Sequence, residues 1–151
     1  MNNALMIKNG ALAVLAAVGS FAANQLGGWD AAMKVLIAFM AADYITGVAL
    51  AAIWHKSSKS ATGALDSKAG FKGLVKKCTI LVLVWIAVLL DAATGSEYIR
   101  MAVVLFFVGN EGISLLENLG VMGVPYPAFL RKALEALREK GDGAEPKNKN
   151  E

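Results

Sequence analysis

Cysteine and histidine are almost missing from this chain: one of each in 151 residues. A single Cys78 permits no internal disulfide and leaves the redox compartment unread. His55 stands 23 positions before it, across a basic stretch, so no Cys–His nucleophilic pair is expected. No two His or Cys residues stand at metal-ligand spacing. Gly70-Phe71-Lys72-Gly73 lacks the order of a phosphate-binding loop, and Ser114 has no histidine in its own segment to activate it. These absences speak against an enzyme, a bound metal and a cofactor. Charge is also sparse, at 18% of residues, and is gathered between Lys56 and Lys77 and after Arg131. The net charge of +3 is modest. Basic residues that flank apolar runs read as orientation signals rather than as a nucleic-acid surface.

Apolar residues are abundant instead. They make up 56% of the chain, with a mean hydropathy of +0.51, more than a soluble domain of this size usually carries. The expectation is an all-α integral membrane protein with a transmembrane domain over residues 1–126. Its four spans fall at about 10–27, 31–54, 74–93 and 98–121, joined by a basic loop at 55–77.

The first span is the weakest, because much of it is alanine and Asn24 and Gln25 lie near its end. Gly19, Ala23 and Gly27 form a small-xxx-small series that lets helix backbones approach in lipid. A buried bundle helix, an oligomerisation face and a cleaved signal peptide all fit this segment, so three spans are the alternative to four. Met6 could serve as a second start. The second span is bracketed by Trp29 and Trp54 at interface depth, and Cys78 to Leu90 is the strongest apolar run of all.

Lys56, Lys59, Lys68, Lys72, Lys76 and Lys77 face only Asp66 in the basic loop. By the positive-inside rule that loop is cytoplasmic, which places both termini inside when there are four spans. Beyond Pro125 and Pro127 the spacing predicts a short amphipathic helix at 127–140, lying on the membrane or pairing with its copy. Residues 141–151 read as a disordered polar tail.

Two features place polar groups inside the apolar segments. Asp43 falls near the middle of the second span, where a carboxylate costs about 2.5–3.5 kcal/mol on an insertion scale. In the fourth, Asn110, Glu111, Ser114, Glu117 and Asn118 recur at helical spacing and share one arc. Asp43 and Glu111 come out near the same depth, with no cation within reach in this reading. They are protonated, share partners such as Thr46 and Asn110, or face water. An interhelical polar clasp and a water-lined wall are both open.

The stretches DYITG at Asp43 to Gly47 and SKAGFKGLVKK at Ser67 to Lys77 resemble the toxin-secretion/phage-lysis holins. So do Asp91 and NEGISLLENLGVMGVPYP, Asn110 to Pro127, followed by LRKALEAL. The likeness covers roughly Asp43 to Leu137 in the expected order. It implies a phage or prophage protein of the bacterial inner membrane that forms homo-oligomers in the lipid bilayer. Lesions then release a cytoplasmic endolysin or, in some relatives, a toxin. Holins of the three-span class are drawn with the N-terminus outside, unlike the four-span reading. A small channel or transporter subunit with an intramembrane carboxylate site is the rival class, and a membrane scaffold is a third.

Overall fold

The computed structural model describes residues 2–55 and 66–143. Among these it is all-α: α1 (Asn2–Gln25), α2 (Ala31–Ala49), α3 (Ser67–Thr94), α4 (Ile99–Val121) and α5 (Ala128–Asp142). A π-helical turn, Leu50–Trp54, prolongs α2 and ends at His55 in the left-handed region. The first four helices are long and apolar enough to cross a membrane.

Each boundary has a local cause. Asp30 caps α2 by accepting from the Met33 amide at 2.8 Å, and Asp66 caps α3 by accepting from that of Lys68. Such caps satisfy amides that the first turn cannot pair. Gly95 closes α3 at a φ of 68°, a conformation costly for any residue with a Cβ. The first amides of α4, at Ile99 and Arg100, donate to the Asp91 carboxylate of α3 at 3.0 and 2.9 Å. One acid thus fastens two helices at their shared turn.

α4 is the centre of the packing. α2, α3 and α5 all lie against it, while α2 and α3 touch little. Met33, Leu36 and Met40 of α2 meet Ile80 and Val84 of α3 and Val104 and Val108 of α4. A second cluster joins Ile113 and Leu116 of α4 to Leu134 of α5. By contrast, the 5–25 span of α1 buries nothing against the rest of the chain; Leu15 and Phe21 are about two-thirds exposed, at 68% and 67%.

Three expectations change. The first helix runs from Asn2 to Gln25 rather than over 10–27, so Gly27 lies beyond it, in a turn at a φ of 81°. Asn24 and Gln25 are close enough to the end for the chain to leave the helix through Gly27 and Gly28. The basic loop at 55–77 is shorter than its glycines and lysines suggested: the Asp66 cap starts α3 at Ser67. Lys68, Lys72, Lys76 and Lys77 are therefore helical. Lys56 and Lys59 lie outside the described residues, as does the tail from 144 onward.

The third difference concerns α5, expected on the membrane surface or against its copy. It folds back along α4, and glycines allow the approach. A Cβ at Gly109 would fall 2.6 Å from the Leu134 carbonyl oxygen and the Arg138 amide nitrogen. One at Gly112 would meet Leu134 and Phe39, and one at Gly141 would press on the backbone of Ala102 and Phe106. Small residues on both partners are how helices come this close.

Gly109→Val should therefore lower stability by about 1–3 kcal/mol, the usual cost of overpacking. Gly19→Val, at a position with open space around it, should leave the unfolding midpoint in detergent unchanged. Equal midpoints for the two variants would show that α5 is not seated on α4.

Candidate functional site

Three helices place charges at one point inside the bundle. Lys77 of α3 donates through Nζ to Asp43 Oδ2 of α2 at 2.9 Å and also to Glu111 Oε2 of α4. All three side chains are nearly out of reach of solvent: Asp43 and Glu111 are 4% and 1% exposed, and the Lys77 side chain 11%.

The same Asp43 carboxylate accepts from Ser114 Oγ at 2.7 Å and from Asn118 Nδ2 at 3.0 Å. Asn118 also reaches Thr46 Oγ1 at 3.1 Å, and the Thr46 hydroxyl lies 2.8 Å from the Ala42 carbonyl oxygen of its own helix. No buried side-chain nitrogen or oxygen among the described residues lacks a partner. That completeness is what a low-dielectric interior demands of polar groups.

The expectation that no cation could reach the acids is corrected here. It considered only bases near Asp43 in sequence, whereas Lys77 is 34 residues from each acid. Because α3 starts at Ser67, its register turns Lys77 toward α2 and α4, while the run from Cys78 onward stays apolar. Lys77 looked like an orientation signal because five other lysines shared its stretch. A lysine directly preceding the strongest apolar run was the available signal.

Of the arc on α4, Glu111, Ser114 and Asn118 enter the cluster. Asn110 is half-buried and Glu117 exposed, and neither bonds the central carboxylates. Thr46 joins through Asn118. Gly19 of α1 faces open space, and Ala23 is half-buried.

A second ionic site closes the opposite end of the bundle. Arg100 at the start of α4 donates through Nη1 to Asp30 Oδ2 at 2.6 Å and through Nε to the Leu26 carbonyl oxygen, also at 2.6 Å. This ties the α1–α2 turn to α4. A Cβ on Gly27 would fall 2.5 Å from Arg100 Nε, so the guanidinium occupies the space a side chain there would need. The hydrogen bond from Arg100 holds the Asp30 carboxyl below its usual value of 3.8, against the opposing effect of its burial. Sequence reasoning missed Arg100 as a site residue, since its partners come from a turn seventy or more residues earlier.

Chemically, the inner cluster offers two carboxylates already occupied by an ammonium group. No group of three or more His, Cys, Asp or Glu residues suited to a metal occurs among the described residues. The arrangement can hold helices together in hydrocarbon, and it can come apart only where water or other polar groups replace its bonds.

Comparison with known proteins adds an independent line. Residues 20–139 match the family described as the bacteriophage holin family. An uncharacterized protein of Clostridium perfringens strain 13 is 41% identical over 118 residues, covering 77% of this chain and 82% of its own. One from Clostridium acetobutylicum is 34% identical over 129 residues, covering 84% and 97%. A probable holin of Bacillus phage phi105 is 32% identical over 101 residues, covering 66% and 69%. No solved structure matches.

Lys77→Met leaves two buried acids without their cation and should cost roughly 3–5 kcal/mol. Adding Asp43→Asn and Glu111→Gln should recover most of that loss. Unfolding midpoints in detergent measure both, and a triple variant no better than the single one would argue against the ion cluster. For Arg100–Asp30 the pH sign follows from the lowered acid. Its stabilising contribution is present in full above the unfolded carboxylate value near 3.8 and is lost as pH falls through the lower folded one. A double-mutant cycle on Arg100→Gln and Asp30→Asn should show coupling at neutral pH that fades below pH ~4.

Proposed function

The chain belongs to the bacteriophage holin family, and from that premise we propose that it oligomerises in the bacterial inner membrane and opens lesions there. Membership already makes it a multi-pass membrane protein with a holin role and points away from enzymatic activity. Our reading adds the steps: copies accumulate, associate laterally and let a cytoplasmic endolysin reach the cell wall. Release of a toxin by the same lesions is the variant of this reading.

The observation that carries it is the polar cluster of Lys77, Asp43 and Glu111 inside helices whose outer faces are apolar. In an isolated copy the cluster bonds itself and hides from lipid. Between copies the same donors and acceptors can be shared or wetted, which gives one chain two packings of similar energy. α1 supports the reading from another side. A long apolar helix that packs on nothing in its own chain is available to a neighbour. We assign the side of the membrane by the basic residues: His55 to Lys77, and with it the Val121 end of α4, faces the cytoplasm, as does the N-terminus.

A cation or proton site is the other reading of two intramembrane acids. Lys77 counts against it, because an ammonium group already occupies the position a cation would take.

The decisive experiment expresses the chain from an inducible promoter in bacteria, with and without a cytoplasmic muralytic enzyme. Abrupt lysis should require both. Glu111→Gln should shift the time of lysis at equal protein level, since it removes one charge held by Lys77. Undisturbed growth with both proteins present, or ion-selective currents without passage of the enzyme, would defeat the proposal.

A further inference from the structure

α5 stands in an unexpected place for so charged a helix. It starts beyond the Val121 end of α4 and runs antiparallel to it. Leu134 lies over Gly109 and Gly112, and Gly141 sits on Ala102 and Phe106, one turn from the opposite end of α4. Leu137 lines an apolar hollow of about 280 Å³ together with Ala31, Ala32 and Leu105, at the far end of α2. Fifteen residues make about 22 Å of helix, so α5 accompanies α4 through most of the depth that α4 crosses.

Only one side of α5 is fit for that depth. Leu134, Leu137 and Gly141 recur at helical spacing and face α4. The other side carries Arg131, Lys132, Glu135, Glu139 and Lys140, of which Arg131, Lys132, Glu139 and Lys140 are exposed, while the backbone and Cβ of Arg138 lie against Gly109. Arg131 and Glu135 pair with each other at 3.0 Å; among the described residues, α4 is the helix on which α5 packs closely. Lipid cannot cover it, because charges at mid-depth need water or partners. A helix merely resting on the bilayer surface would not need three glycines to seat it along a spanning helix.

We propose that α5 is the lumen-lining helix of the assembled lesion, with its charged face turned to water shared by several copies and its glycine-matched face fixed on α4. The proposal rests on the lesion-forming reading above and says which element forms the wall. Three basic and two acidic groups give that wall both signs of charge, so it discriminates weakly among ions and does not repel a folded protein of either sign. It also places the Gly141 end of α5 on the Asp30 side of the membrane, away from the cytoplasmic surface where the sequence alone would leave it.

The test uses the full chain with Cys78→Ser, reconstituted in phospholipid vesicles loaded with a folded fluorescent protein. Single cysteines are introduced as Lys132→Cys or Glu139→Cys on the charged face, and as Val82→Cys on the exposed apolar face of α3. A membrane-impermeant anionic methanethiosulfonate is added from either side. Release of the protein together with fast modification of both α5 cysteines, from both sides, and slow modification of Val82→Cys is the expected result. Modification at Glu139→Cys should also slow release. A further variant, Gly141→Leu, should insert normally yet release little, because it lifts α5 off α4.

If the vesicles leak but the α5 cysteines react no faster than Val82→Cys, or react only from the side bearing the Lys68 end of α3, then α5 does not line the lumen. The lesion-forming reading survives that outcome. If no folded protein escapes at all, both fall together.

Discussion

One lysine between two carboxylates organises the interior of this protein. Lys77 joins three helices at once, and it does so where water is excluded. Removing three charges from solvent is expensive, and only near-ideal geometry with every remaining lone pair occupied offsets that expense. Ser114, Asn118 and Thr46 supply those extra bonds. The apolar contacts of Met33, Leu36, Val84 and Val104 are interchangeable in kind; the position of Lys77 is not. Its gain is therefore better described as specificity of helix register than as raw stability, in line with the modest worth of polar contacts between membrane helices.

Around that point the bundle divides into parts of unequal constraint. At one end Arg100, Asp30 and Asp91 bind turns and helix starts together, fixing where α2, α3 and α4 meet. In the middle the lysine fixes their rotation. Outside this frame α1 hangs from Gly27 and Gly28 with almost all of its described surface exposed, and α5 is held to one helix by glycine contacts. A rigid three-helix frame with two loosely committed helices suits a protein that must be quiet as single copies and then reassemble. The two outer helices differ in what they can meet: α1 offers mostly apolar and small side chains, whereas α5 offers charge.

Much of this was legible before any coordinates. Continuous apolar runs bounded by tryptophan and lysine gave the four spanning helices, because length and hydrophobicity alone decide that property. The polar arc of α4 was visible in spacing, and Asp43 was visible as an acid in the wrong solvent. What the residues could not disclose was tertiary pairing. Lys77 belonged by pattern to a solvated basic loop, and only the observed start of α3 at Ser67 turned it inward. Gly109 and Gly112 carried no message on their own, since a glycine in a membrane helix marks close approach without naming the partner. The hairpin of α4 with α5 went unread for the same reason: amphipathic spacing says that one face is covered, and a bilayer surface and a neighbouring helix cover it equally well.

The most direct check is a distance. Solid-state nuclear magnetic resonance on the chain in lipid bilayers, with nitrogen-labelled lysine and carbon-labelled aspartate and glutamate, reads the approach of Lys77 Nζ to the carboxyl carbons of Asp43 and Glu111. Lys77→Arg identifies the signal by removing it. Dipolar contacts from that one nitrogen to both acids, with slow exchange of its protons into water, are expected. A lysine side chain at Lys77 that exchanges freely with bulk water and shows neither contact would contradict the picture of three helices registered by a single buried cation.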